Sequence, residues 1–515
     1  MNKNIKRLLS LAIVAVMVIA MMPTVFADTP TYTDWDGNAA ALTDGAYLKL
    51  TADKDITEVY NITAAKVTID LDGKKITSSV ATRIFYLTNG STLTLKNGTI
   101  EAPGMNTDES SNYGGLFYVN TTAKGANELN LENMTITKTA GTSDLSKGGV
   151  IYARGAVNVT NSTIKIDSFE GHEVSNLQGG IFSISTGCTL SITGSNVSNG
   201  QAGSGGNIFI EGSGKVKIID STVDGGYAYN SDLEGASLKG HSIYAGNVNA
   251  EVTITNSTVG QICLNRGKLT INSGTINDEW SVGSKDYTIT VANGVKTVSN
   301  PAKYATDGQA AVYADGYYTT YASFDAAMAA AQSGNTVVLL ADATADAVVV
   351  PAGVTLNLYG KTLTAASLTA TAAGAQVKDE KSSKNAGGKL ICDSIAVAED
   401  NKFAPIYFEG AYHFQKIAVA ENLENNVYKF YLSDALDTIY LDDVWANGYG
   451  ESGLKLQLCA SYKVGGEAKE KTFDISDELI KAYAADWENK MFILTITSDL
   501  SDITDLDFSV RVVAA

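Results

Sequence analysis

Few residues in this chain could move protons or hold charge on a substrate. Gly240-His241-Ser242 is followed by Arg266-Gly267-Lys268, and Asn230-Ser231-Asp232 precedes both. An acid, a histidine and two cations in that order are the residues whose types could do acid–base chemistry. Hydrolysis of a glycoside, however, needs two carboxylates a few ångströms apart, one to protonate the leaving oxygen and one to activate water or attack carbon. The only Asp-Asp pair, Asp442-Asp443, lies far down the chain, and His172 and His413 stand alone. A Ca²⁺-dependent elimination would need clustered Asp ligands and an Arg base, yet the strand-like runs around His241 carry Leu, Ile, Phe, Tyr and Ser. The expectation is no catalytic residue, no metal ligand and no cofactor. Asp434, Asp437, Asp442 and Asp443 read as a solvated acidic face rather than a Ca²⁺ site.

The elements that would position a site come from a repeat. An apolar residue is followed by another at +2, a Gly, Asn, Asp or Ser at +4 and a third apolar residue at +7. The copies begin at Ile69, Leu93, Leu129, Val157, Leu190, Val216, Val252 and Leu269, with a degraded ninth at Ile289. Alternation with period two specifies a strand, and the +4 residue breaks it with a type that tolerates left-handed φ. This accounts for the Asn-x-Ser/Thr triplets at Asn133, Asn161 and Asn256 as corners followed by strand residues. A second element alternates with the first: Arg83–Leu87, Gly114–Val119, Gly148–Ala153, Gly179–Ile184, Gly205–Ile210 and Gly240–Ala245. Each repeat therefore supplies at least three short strands and no helix, and such units bury a core only by stacking. His241 takes the second position of this element, where preceding copies carry Gly149, Gly180 and Gly206, so it falls in a glycine column rather than a catalytic group.

Aligned in register, these second elements give uniformly apolar columns through Phe85 and Leu87, which predict inward side chains. The alternate columns hold Ser183, Asn207 and Ser242 and predict outward ones. One of them reads Tyr86, Tyr118, Tyr152, Ser183, Phe209, Tyr244. With strands about 4.8 Å apart, this predicts an exposed aromatic ladder, with Tyr86, Tyr118, Tyr152, Phe209 and Tyr244 as the ligand-binding candidates. Rings with a polar tip suit both sugars and protein interfaces. The surplus residues of the longer copies (Glu101–Tyr113, Thr139–Lys147, Asp167–Gln178, Asn199–Ser204 and Asp224–Lys239) share one corner and predict a row of loops beside that ladder.

On these residues the chain resembles the right-handed parallel β-helix proteins of the pectin-lyase-like superfamily, particularly secreted Gram-positive members with Leu-x-Leu-x-Asn-x-x-Ile coils. The likeness covers most of residues 45–300. It implies an all-β solenoid and brings polysaccharide lyases and polygalacturonases into view as relatives. The polygalacturonase pattern runs Asn-x-Asp, Asp-Asp, Gly-His-Gly, Arg-x-Lys. This chain departs from it at Asp-Asp and replaces the last Gly of the third part with Ser242.

Length and charge set the remaining bounds. Residues 1–27 read as a secretory leader: Lys3, Lys6 and Arg7 precede an apolar run too short for a membrane span, and Val25-x-Ala27 suits cleavage. Without the leader's three cations the net charge moves from −18 to −21, which argues against nucleic acid and anionic lipid as partners. Cys188, Cys263, Cys392 and Cys459 are too dispersed for a disulfide framework or a metal site and read as buried thiols. The first β-helix is expected over 28–300. Residues 301–410 are expected to hold a capping helix (Phe324–Ser333, with Ser323 as its N-cap) and a second short β-helix, because Val354–Thr364 repeats Val67–Thr77 and Ala341-Asp342 repeats Ala52-Asp53. A C-terminal β-sandwich-like domain over 411–515 completes the plan, with one helix near Asp477–Trp487. No wall-sorting signal is evident. The reading is a secreted, surface-associated adhesin or glycan-binding protein whose partner is a polysaccharide or a host or cell-wall glycan. The alternatives are a polysaccharide lyase or hydrolase, and a filament subunit that self-associates through edges such as Phe508–Val513.

Overall fold

The computed structural model describes residues 30–104, 113–120, 127–139, 145–167, 176–229, 240–283, 286–380, 389–397 and 454–474. It also describes the strands Tyr407–Glu409, Tyr412–Lys416, Glu421–Leu423, Val427–Tyr431, Met491–Thr495 and Ile503–Ala514. The leader, Asn230–Asp232, His172, the acidic residues 434–443 and the expected helix near Asp477 lie outside these residues.

The fold is all-β, with long sheets of parallel strands in an arrangement compatible with a β-helix solenoid. Each repeat visits three stacks in turn. A first face runs through Lys66–Asp70, Ala156–Thr160, Thr189–Thr193, Lys215–Ile219, Glu251–Thr255 and Gly267–Ile271. A second follows the corner through strands such as Thr163–Ile166, Asn196–Ser198 and Thr222–Asp224. The long strands Thr92–Ala102 and Glu128–Lys138 turn the corner unbroken and serve both faces. The third face is a nine-stranded parallel sheet from Tyr60–Thr63 to Trp280–Val282. It extends the expected series by one strand at the start and two at the end. Between the faces, Leu93, Leu95, Ile100, Phe85, Leu87 and their equivalents form one continuous buried core.

The corners are built as their residue types require. Asn97, Asn133, Asn161, Asp220 and Asn256 all have positive φ, between 46° and 57°, a region that costs most side chains energy but suits Asn and Asp. Beside them runs a chain of serines. The backbone N–H of Ser162 donates to Ser195 Oγ, that of Ser195 to Ser221 Oγ and that of Ser221 to Ser257 Oγ, each at 3.0 Å. Each hydroxyl in turn donates to the carbonyl two residues back, as Ser195 does to Thr193 at 2.8 Å. Ser195→Ala would leave the buried Ser162 N–H without an acceptor. The expected cost is about 1–3 kcal/mol, measurable as a lowered urea midpoint at unchanged slope.

The first repeat copy departs from the template. Ile69 pairs with Leu95, not Leu93, so the alignment that begins at Ile69 is displaced by two residues. The two extra residues form a wider corner at Asp72 and Gly73, both at positive φ (48° and 77°). Leu71 is swung into the core there and is fully buried.

That wide corner recurs at Tyr359-Gly360, with φ values of 48° and 77°. The supporting contacts recur as well. Asp70 Oδ1 accepts the N–H of Asp72 at 2.9 Å, and Asn357 Oδ1 accepts that of Tyr359 at 3.1 Å. Asp53 Oδ1 accepts the N–H of Lys75 at 2.9 Å, and Asp342 Oδ1 accepts that of Thr362 at 2.8 Å. The repeated sequence is therefore a repeated structure. The helix before it is Phe324–Ala330, shorter than the expected span, with Ser323 Oγ accepting the N–H of Ala326. A 3₁₀ turn, Ala39–Ala41, stands in the equivalent place before the first repeat. The large parallel sheet does not stop near residue 300. The antiparallel strands Ala310–Ala314 and Tyr317–Tyr321 carry it on to Thr336–Leu339, Thr355–Asn357 and Gln376–Lys378.

The described C-terminal strands form two antiparallel sheets. Ile503–Ala514 lies inside its sheet, paired with Tyr412–Lys416 on one side and Leu454–Val464 on the other. This corrects the expectation that Phe508–Val513 offers a free edge for self-association. Glu467–Asp474, which pairs only with Leu454–Val464 among the described strands, carries Glu467, Lys469, Glu470 and Lys471, a composition that discourages edge-to-edge pairing.

Candidate functional site

The third face places its residues through glycine. The first Gly of each element (Gly114, Gly148, Gly179, Gly205, Gly240) has φ between 65° and 78°. The second packs against the next coil's backbone: a Cβ on Gly115 would lie 2.1 Å from the carbonyl oxygen of Gly149, and one on Gly206 2.0 Å from that of His241. The strand that follows is thereby held tight against the returning loop segments. Tyr113, Lys147, Gln178 and Ser204 form successive parallel bridges there, and Leu145, Leu177 and Ala202 make a small second core beneath them.

The aromatic column has the expected register: Tyr86, Tyr118, Tyr152, Ser183, Phe209 and Tyr244 are direct neighbours on adjacent strands. Its exposure is not as expected. Tyr118, Tyr152 and Phe209 are buried, at 6%, 1% and 8% exposure, and only Tyr86 and Tyr244 are half-buried. Ser183, Asn207 and Ser242, expected to face water, are also buried. The physical reason is the returning loop segments, which lie over this face as a further layer. Asn207 ties them down, accepting the Gly200 N–H at 2.9 Å and donating to the Asp224 carbonyl at 3.0 Å.

The result is a roofed cluster of rings and cations. Tyr118 lies between Tyr86 and Tyr152, with centroids 5.1 and 5.4 Å away, and Tyr113 packs across both Tyr118 and Tyr152. The Arg83 guanidinium stands 5.1 Å from the Tyr118 ring and 5.7 Å from that of Tyr86. It also donates to the carbonyls of Tyr113 and Gly114. Arg154 Nε donates to Tyr152 Oη at 3.2 Å, and Asn120 donates to Tyr86 Oη at 2.8 Å. Lys147 lies over Tyr113 and Tyr152 and forms an ion pair with Glu211. Burial pushes the Tyr118 hydroxyl up to about 12 and lowers Arg83. Sequence reading missed Arg83, Tyr113, Lys147 and Glu211, which lie outside the ring column and join it only through folding.

Of the other candidates, His241 precedes the strand Ile243–Ala245 and Arg266 follows the adjacent parallel strand Ile262–Leu264. His241 is half-buried, its backbone N–H donating to Gln261 Oε1 at 3.1 Å and its ring edge-on to Tyr227. Arg266 is exposed at a corner. No group of three or more His, Cys, Asp or Glu residues able to hold a metal occurs among the described residues. Cys188 and Cys263 are buried and form no disulfide, and burial raises Cys188 to about 11, which leaves it unreactive at neutral pH. No helix among the described residues is long and apolar enough to cross a membrane. Comparisons with protein-family models, curated proteins and solved structures return no match.

Proposed function

We propose that this chain is a secreted right-handed parallel β-helix protein of the pectin-lyase-like kind, with a second short β-helix and a C-terminal sandwich, that binds glycan without cleaving it. The observation that carries the reading is the ring and cation cluster of the third face, at the edge where the loops return. Half-buried Tyr86 and Tyr244 belong to one column, and half-buried Tyr113 and exposed Arg154 pack beside it at Tyr152. Rings held in place beforehand bind sugars with little ordering cost, and the net charge of −18 favours a neutral polymer over a polyanion. The role that fits is an adhesin at a host or cell-wall surface.

The test is retention of the mature protein in gels containing neutral or acidic polysaccharides, with and without Ca²⁺, while unsaturated product is followed by ultraviolet absorbance. Retention by a neutral polymer without product is expected, and Tyr86→Ala with Tyr244→Ala should weaken it severalfold at unchanged melting temperature. Product formation, or no retention by any polymer, would overturn the reading.

A further inference from the structure

An asparagine followed by glycine is prone to lose its side-chain amide, because glycine's missing Cβ leaves its nitrogen open to the amide carbon. The chain carries this pair at Asn89, Asn97, Asn199, Asn293 and Asn447, the last of which lies outside the described residues.

Three of the four described pairs hold the glycine nitrogen away from the amide. Gly98 is walled in by the wide corner: a Cβ there would stand 2.3 Å from Leu71 Cβ and 2.7 Å from the Lys74 carbonyl oxygen. The Asn97 carbonyl also accepts the Gly73 N–H at 2.7 Å. The Gly200 N–H donates to the buried Asn207 Oδ1 at 2.9 Å, and the Gly206 carbonyl oxygen stands 2.2 Å from its Cβ position. The Gly294 N–H donates to the Thr320 carbonyl at 2.9 Å. Giving up one such hydrogen bond to turn the nitrogen toward Cγ slows the step by about tenfold.

Asn89-Gly90 is held differently. It forms the turn between Phe85–Thr88 on the third face and the long strand Thr92–Ala102. Both sides of the turn are fixed. The Thr88 carbonyl accepts the Ala64 N–H at 3.2 Å and the Ser91 hydroxyl, and the Ser91 N–H donates to Asn127 Oδ1 at 2.7 Å. Between them Asn89 is exposed, with φ of 59°, and Gly90 follows with φ of 81°. The Gly90 N–H donates to none of the described residues, and nothing lies within 4 Å of the Gly90 Cβ position. This nitrogen therefore turns without losing a hydrogen bond of its own or meeting a neighbour.

We infer that Asn89 is a site of spontaneous modification, where the folded protein exchanges a neutral amide for a carboxylate as it ages. The Gly90 nitrogen gives its proton to solvent and bonds to Asn89 Cγ. The Cγ–Nδ2 bond breaks, ammonia leaves and a cyclic imide remains. Water then adds to one of the two imide carbonyls. Opening at the main-chain nitrogen–Cγ bond yields aspartate, and opening at the nitrogen–carbonyl carbon bond yields isoaspartate, whose main chain runs through Cβ and Cγ. Water is the only co-reactant, and nothing is oxidised or reduced. The carboxylate appears on the turn that follows Tyr86 and Leu87, next to the Asn120–Tyr86 contact.

The test is to keep the full chain folded in mildly alkaline buffer and map its peptides over time by mass spectrometry, with a sample unfolded in guanidinium chloride as reference. In the folded chain the Asn89 peptide should gain the mass of an amide-to-acid change at least about tenfold faster than the Asn97, Asn199 and Asn293 peptides. In the unfolded chain the four rates should converge. Gly90→Ala, whose Cβ meets nothing in the turn, should slow the change at Asn89 severalfold in both states by crowding the nitrogen. A folded chain in which Asn89 reacts no faster than the other three would overturn the assignment. So would a Gly90→Ala protein that changes at the wild-type rate.

Discussion

Replacing Gly206 by alanine should unfold the central coils. A Cβ there would stand 2.0 Å from the carbonyl oxygen of His241 and 2.4 Å from the backbone nitrogen of Tyr227, distances that no side-chain adjustment relieves because both obstacles are main chain. Gly180→Ala meets the same obstruction, 2.2 Å from the nitrogen of Gln201 and the carbonyl oxygen of Gly206. Separating the layers would break the parallel hydrogen bonds of the third face and the contacts of Gln201–Ala202 with Tyr227–Ala228. A loss of about 4 kcal/mol or more is expected, at the upper end of single-residue effects. Gly187→Ala is the contrast: its φ is positive, at 76°, as that of Gly206 and Gly180 is not, but nothing lies within 4 Å of its Cβ position, so a cost of about 1 kcal/mol is expected. Chemical denaturation of the three variants measures the difference. A loss at Gly206 no larger than that at Gly187 would show that close packing is not what the second glycine supplies.

Lys138 carries the second large effect. Its column on the second face otherwise holds Ala102 and Ile166, and its side chain is fully buried, running against Gly104 and Gly115. Burial lowers its ammonium group from 10.5 to about 7. The folded chain thus releases a proton that the unfolded chain keeps until near pH 10.5. Where the unfolded state binds more protons, stability rises with pH. The penalty is therefore fully present below pH 7 and is relieved as pH rises from 7 toward 10.5, at about 1.4 kcal/mol per pH unit for one proton. Near pH 10 the sign reverses, because burial raises the Tyr60 and Tyr118 hydroxyls to about 12 and the unfolded chain loses those protons first. Urea midpoints should therefore climb between pH 7 and 9.5. Lys138→Met should flatten that climb and stabilise the protein by several kcal/mol at pH 6. A Lys138→Met protein with the same pH profile as wild type would show that the amine is not the group being titrated.

What the sequence determined by itself was local. Period-two alternation set the strands, and the +4 residue set the corners, because Asn, Asp and Gly tolerate positive φ wherever they stand. The register of the aromatic column followed from counting, and the duplication of Val67–Thr77 at Val354–Thr364 announced a shared corner whose capping aspartates, Asp53 and Asp342, were legible beside it. Tertiary structure decided what covers what. Tyr118, Tyr152, Ser183 and Asn207 occupy positions that alternate away from the core, and alternation alone sends them to water. They are buried because segments from loops of unequal length return over them, held by glycines whose missing Cβ atoms admit the backbone. The same non-local packing brought Arg83 and Lys147 to the rings and paired Lys147 with Glu211. It also placed Phe508–Val513 inside a sheet, since a strand's neighbours on either side are chosen by the whole domain and not by its own residues.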